Sequence, residues 1–211
     1  MPADPADPTD PVGPADPADP IDPADPIDPA DPADELVEVV DRRGNVIEVV
    51  TRGRMRQETL RHRCTYVAVL VGPVDLLDRP PPMSVPGDTR LVVHQRADWK
   101  DTYPSYWDVA FGGVCGVGED WLAAAERELQ EEAGIAGARL HDLGPVDYDE
   151  ADNRLLGRGY VVSWPERPVC TDGEVVALDH VPLAELPSWS RAVDVCPDSA
   201  TLVIPKLLTL I

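Results

Sequence analysis

Residues 112–135 read GGVCGVGEDWLAAAERELQEEAGI, a glycine-rich loop running into a helix that carries Glu126, Glu128, Glu131 and Glu132. The chain already bears a formal charge of −21 over 211 residues, so further crowding of like charges calls for a cause. Carboxylates one helical turn apart repel by a few tenths of a kcal/mol per pair. Either this face is simply solvated or a positive charge belongs there.

The segment from Asp120 to Gly134 is rich in helix formers, and Gly134 stops it as a C-terminal cap. Leu122, Ala125 and Leu129 recur at spacings of three and four and predict one apolar face toward a sheet. Glu128, Glu131 and Glu132 share a second face, turned outward across the loop. Glycines 112, 113, 116 and 118 let that loop bend and bring its carbonyls close to the helix. Three carboxylates beside free carbonyl oxygens form a hard-oxygen set suited to Mg²⁺ or Mn²⁺. Arg127 and Glu119 can pair and fix loop to helix.

Outward from this stretch, the chain divides sharply. From Pro2 to Pro32 a proline falls at every third position, nearly always after aspartate. Polyproline II has three residues per turn, so prolines line one edge and aspartates another. The segment holds only Val12, Ile21 and Ile27 as sizeable apolar residues. Residues 1–34 are therefore expected to form an extended, self-repelling, disordered Asp-Pro-rich arm, with the folded domain at 35–211.

Within 35–211, LVEVVDRRGNVIEVV reads as two strands with alternating apolar residues around a turn at Arg43, Gly44 and Asn45. TRGRMRQETLRHR is basic and reads as one or two helical turns. CTYVAVLVG and RLVVHQR are buried strands by their β-branched content, and the proline-rich stretch between them is a long loop. GRGYVVSW and GEVVALDHVPL are further strands. DSATLVIPKLLTL is a helix capped by Asp198 or Ser199, which Pro205 kinks or interrupts. Strands flanked by helices predict an α/β sandwich around a mixed sheet.

An acidic chain lacks the clustered Lys and Arg that grip nucleic acid. No run of eighteen uncharged apolar residues predicts a membrane span, and the N-terminus lacks the features of a secretory signal. Cys64, Cys115, Cys170 and Cys196 are widely separated, as suits reduced thiols in a cytoplasmic protein.

Gly113, five residues, Glu119, seven residues and then RELQEEAGI at 127–135 resemble a complete Nudix box. This resemblance implies an α/β/α sandwich and hydrolysis of a nucleoside diphosphate linked to another group. It places Glu128 and Glu132 as metal ligands, Glu131 as a further ligand or water-activating base, Gly113 as a carbonyl donor and Arg127 as the residue that orients the glutamates. Glu174 stands where a late glutamate often joins the metal site, or else is an exposed strand-edge charge.

Arg54, Arg56, Arg61, Arg63, Arg96 and Lys100 are candidates to meet substrate phosphates, with most expected at the surface and Arg96 and Lys100 favoured. Trp99, Tyr103, Tyr106 and Trp107 are candidates to stack on a base, with Tyr106 and Trp107 read as core. LRHRCTYVAVLV, LVVHQRADWKDTYPSYWD and GGVCG resemble the branch that includes isopentenyl-diphosphate isomerase. That isomerase carries Cys-Gly-His where this chain has Gly112, Gly113 and Val114, so hydrolysis is favoured over isomerisation. A non-catalytic Nudix nucleotide-binding module is the other alternative. The expected partner is a small-molecule diphosphate; the oligomeric state stays open, a homodimer included.

Overall fold

Alternating side chains on two long strands give the molecule two apolar layers on one sheet. The computed structural model describes residues 32–78 and 84–211. Residues 1–31 of the arm expected over 1–34, and the tip of the proline-rich loop, 79–83, lie outside the described residues; the last three residues of that stretch, Pro32–Asp34, form a short 3-10 helix.

The strands are β1 (Leu36–Val40), β2 (Val46–Thr51), β3 (His62–Val71), β4 (Arg90–Arg96), β5 (Trp107–Asp108), β6 (His141–Asp149), β7 (Arg154–Trp164) and β8 (Val175–Pro182). The helices are α1 (Arg52–Gln57), α2 (Trp121–Ala133), α3 (Leu186–Trp189), α4 (Pro197–Leu202) and α5 (Ile204–Leu208). Strand β3 is the hub. It pairs in parallel with β7 along its whole length and antiparallel with β1 and β4 near its two ends. Strand β6 adds to β7, and β8 and β5 add to β4. One parallel pair among antiparallel ones makes the sheet mixed, as expected.

Because side chains alternate across a strand, Val67 and Val69 of β3 join Tyr160 and Val162 of β7 beneath Ala125, Leu129 and Ala133 of α2. Tyr66, Ala68 and Leu70 face the other way and pack with Leu183, Leu186, Val203, Ile204 and Leu207 from the C-terminal helices. The result is an α/β/α sandwich.

Several sequence expectations need correction. Leu122 is exposed at 43%; the buried stripe of α2 is Ala124, Ala125, Leu129 and Ala133. Strand β2 exists, but Val46, Ile47 and Val49 face solvent, because the β1–β2 hairpin lies at the sheet edge. The turn itself is as read: Asp41 Oδ1 accepts from the Arg43 and Asn45 N–H groups at 2.8 and 2.9 Å.

Neither Asp198 nor Ser199 caps the last helix. Cys196 is the cap, and Asp198 lies inside the first turn, buried, accepting from Tyr66 Oη at 2.9 Å. The break falls at Val203, with Pro205 in the first turn of α5. Strands β5 and β6 and the short α3 were not anticipated. HDLGPVDYD at 141–149 holds a proline, a glycine and three aspartates, so its strand character comes from pairing with β7 rather than from local preference.

Candidate active site

The pairing of β3 with β4 is confined to Leu70–Leu91 and Val71–Arg90, so the two strands diverge. The glycine loop fills the gap. Val67 and Phe111 exchange backbone hydrogen bonds at 2.6 and 2.9 Å, Thr65 N–H donates to Gly113 O at 2.9 Å, and Cys115 N–H donates to Arg63 O at 3.0 Å. This close approach requires glycine at 112, where φ is +146° and a Cβ would stand 2.1 Å from Thr65 O.

Helix α2 then starts at Asp120, whose carboxylate accepts from the Leu122 and Ala123 N–H groups at 3.0 Å each. It ends at Gly134 with φ +67°. Glu38 braces the loop from β1, accepting from Gly118 N–H at 2.9 Å and from Arg63 at 3.0 Å. The Arg63 guanidinium lies 4.1 Å from the Trp121 ring centroid. Arg63, read from the sequence as a candidate phosphate contact, is instead tied to Glu38; Glu38 was not legible as a site residue, because an acid between valines in a strand carries no sign that it points at a loop.

Arg127 organises the carboxylates. Nε and Nη2 grip Glu119 at 2.9 and 3.0 Å, and Nη1 reaches Glu128 at 2.9 Å and Glu131 at 3.0 Å. The Arg127 hydrogen bonds hold the Glu119 carboxyl below its ordinary range. Glu128 is pushed up to about 7 by burial, against the pull of Arg127. Glu132 is pushed up to about 8 by burial and by the Glu128 charge, although its Oε2 accepts from Gly112 N–H at 2.9 Å.

The three glutamates are thus unequal. Glu128 and Glu132 are largely removed from solvent, whereas the Glu131 side chain is 57% exposed and held by Arg127. Gly113 packs directly on Glu128, whose Oε1 a Cβ would meet at 2.7 Å.

Lys100 and Glu174 form an ion pair, and both act electrostatically on Glu132. The structure therefore brings Glu174 and Lys100 to the carboxylates. Arg96 is occupied in bracing, with Nε donating to Thr102 O at 3.1 Å and Nη1 3.9 Å from Asp108. Trp107 packs on the core edge-on to Trp189 at 6.0 Å, and Trp99 is exposed at 61%. Tyr103 donates to Asp152 at 2.8 Å and lies 5.9 Å from Tyr106. Burial pushes the Cys115 thiol up to about 12, so it is not a poised nucleophile.

Among the described residues no three carboxylate, imidazole or thiol groups converge in a ready-made cage, since Arg127 holds Glu131 and one oxygen of Glu128. The donor chemistry still fits a hard divalent ion. The Glu128 charge destabilises the charged form of buried Glu132, and the Gly113 carbonyl, used once by Thr65, retains a second lone pair.

A family model described as the NUDIX domain matches residues 84–198. An uncharacterized Nudix hydrolase of Yersinia pestis is 35% identical over 121 residues, or 57% of this chain and 58% of that protein. The uncharacterized Nudix hydrolase YfcD of Escherichia coli K12 is 32% identical over 121 residues, 57% of this chain and 59% of its own length. The matched region thus spans somewhat under three-fifths of these relatives. Among solved structures, DR0079 from Deinococcus radiodurans superposes with a TM-score of 0.64 at 17% identity, covering 82% of this chain and 99% of that one. The NUDIX domain of Shewanella oneidensis NrtR, solved with ADP ribose, gives 0.53 at 12% identity, covering 76% and 98%.

Proposed function

The chain belongs to the Nudix family, and from that premise we propose that it is a metal-dependent hydrolase that cleaves a phosphoric anhydride in a nucleoside diphosphate linked to another group. The observation that carries this reading is the juxtaposition of Glu128 and Glu132. One buried and one mostly covered carboxylate, Glu132 and Glu128, raised to about 8 and about 7, face a glycine loop that has no room for side chains at 112 and 113.

In the proposed site Glu128, Glu132, the Gly113 carbonyl and Glu174 would hold Mg²⁺ or Mn²⁺. When bound, such an ion offsets the carboxylate and diphosphate charges and lowers the pKa of its water. Glu131, solvent-exposed on the same helix, is the water-activating base or a further ligand. Arg127 and Glu119 lock helix and loop so that neither carboxylate moves as charge develops, which suits a reaction that depends on positioning and charge neutralisation. Lys100 and Arg96 meet the substrate phosphates. In the overall reaction a water oxygen bonds to one phosphorus, the bridging P–O bond breaks, and the released proton passes to the base and then to solvent. Four free cysteines fit the reducing cytoplasm.

The test is a turnover screen with Mg²⁺ or Mn²⁺ against nucleoside-diphosphate sugars, dinucleotides, oxidised nucleotides and ADP-ribose, with product analysis. Activity should vanish in excess chelator. Tight binding without product across the panel would instead mark a nucleotide-binding module.

A further inference from the structure

Helix α1 presents Arg52 and Arg56 four residues apart, on one face. Neither lies within the residues 84–198 matched by the family model. Arg52 is tied to Glu35 at 3.1 Å. Burial works against its charge, yet Glu35, Asp101 and Glu128 hold its pKa above the ordinary range, so Arg52 lies within electrostatic reach of the carboxylate site. Arg56 Nε is 3.4 Å from Asp101 Oδ2 but too poorly aligned to donate, and it is buried with no hydrogen-bond partner among the described residues.

Asp101 comes from the strap 97–106, beside Lys100. Burial pushes its carboxyl up, but Arg56, Arg52 and Lys100 together hold it below its ordinary value. One half-exposed carboxylate therefore sits among three cations without a good hydrogen bond to Arg56. The strap that delivers it is strained: Tyr103 and Ser105, neither of them glycine, have φ of +49° and +64°. A guanidinium fork with an imperfect partner is under-used, because Arg binds phosphate oxygens in pairs.

We propose that Arg52, Arg56 and Lys100 form an anion subsite beside Glu128 that takes a phosphoryl group of the substrate, and that the Asp101 carboxylate is a resident stand-in which the phosphoryl group displaces. The subsite rests on the hydrolase reading only for the nature of its ligand. It grips the phosphate that the glutamates cannot approach by charge, and Asp101 sets the threshold for entry.

The experiment is calorimetric titration of the full chain with inorganic pyrophosphate in excess EDTA at low salt. Without divalent metal the glutamates repel the anion, so binding reports the basic cluster. The wild type should bind weakly. Arg52→Gln and Arg56→Gln should each weaken binding at least about tenfold, and Arg56→Lys, which keeps charge but loses the fork, should fall between. Asp101→Asn should tighten binding about three- to tenfold, and that gain should disappear in an Arg56→Gln background. Asp98→Asn, an exposed charge on the same strap, should leave affinity unchanged.

Equal tightening by Asp98→Asn and Asp101→Asn would reduce the effect to net charge and overturn the proposal. So would wild-type affinity in the arginine variants, or no binding by either wild type or Asp101→Asn at millimolar pyrophosphate. If Arg56→Gln does not fold, Arg56→Lys and Arg52→Gln carry the same comparison. Because no turnover is needed, an inactive protein with an intact subsite would sink the hydrolase reading alone.

Discussion

Arg127 and Glu119, eight residues apart, are joined by two parallel hydrogen bonds, Nε to Oε1 at 2.9 Å and Nη2 to Oε2 at 3.0 Å. Glu119 also accepts from Gly116 N–H at 2.8 Å. The pair therefore connects the bend of the glycine loop to the middle of α2, and Arg127 carries that constraint on to Glu128 and Glu131. Glu119 thus supports the helix carboxylates from the loop without being one of them.

This difference in position predicts a difference in cost. Glu132→Gln removes a charge proposed to bind metal while keeping shape and should lower turnover about a hundred- to a thousandfold. Glu119→Gln should cost about ten- to a hundredfold, as for groups that hold metal ligands in place. Steady-state kinetics on both variants decides it; if Glu119→Gln proves the more damaging while Glu132→Gln stays near wild type, the assignment is wrong.

Adjacent glycines should fail differently. At Gly112 an added Cβ meets the Thr65 backbone oxygen at 2.1 Å, and φ is +146°. Gly112→Ala should therefore destabilise by about 3 kcal/mol or more. At Gly113 the Cβ meets only the end of the Glu128 side chain, at 2.7–2.8 Å, which can swing away. Gly113→Ala should melt within a few degrees of wild type yet lose about a hundredfold in turnover. A Gly113→Ala protein with full activity would mean that Glu128 need not stand where it does.

Metal should stabilise the fold through the same carboxylates. At a hundred times its Kd, a ligand bound only by the folded state adds about 2.7 kcal/mol. For a domain of this size that is a rise of roughly 5–10 °C in Tm. Mn²⁺ or Mg²⁺ titrated into chelator-treated protein should show it, and Glu128→Gln or Glu132→Gln should abolish it. Flat melting curves in millimolar Mn²⁺ would remove the metal site.

Asp198 provides a separate pH signature on the opposite side of the sheet. Burial, reinforced by the Asp108 charge, pushes its carboxyl from 3.8 up to about 6. Between those values the folded state holds more protons than the unfolded chain, so this group's contribution to stability falls as pH rises from about 4 to about 6, then levels off. The loss is on the order of 3 kcal/mol at most. Urea unfolding of wild type and Asp198→Asn across pH 4–7 isolates it: the variant should lack this descending component, and parallel profiles would refute it.

How far the sequence reaches is clearest on α2. Its limits and its C-cap at Gly134 follow from local composition and spacing, because a helix fixes which residues meet three and four positions apart; the Arg127–Glu119 pair was legible as a tie between loop and helix, and the Nudix box as a resemblance. The long strands β3, β4 and β7 were equally legible, since β-branched runs of that length are buried in few other ways. The Asp-Pro repeat to residue 31 is a matter of sequence alone.

Tertiary structure decided the rest, because it concerns residues brought together from distant elements. That Glu132 is buried and Glu128 mostly covered while Glu131 is exposed depends on how deeply α2 seats against β3. That Asp198 is a buried acceptor for Tyr66, rather than a helix cap, depends on α4 packing across the sheet. Strand β6 has poor intrinsic preference and forms because β7 offers it an edge. Lys100 and Glu174, 74 residues apart, meet because β8 pairs with β4. Local spacing fixes contacts within one helix or strand; contacts between them are fixed by burial, which the chain settles only when every apolar face has found its cover.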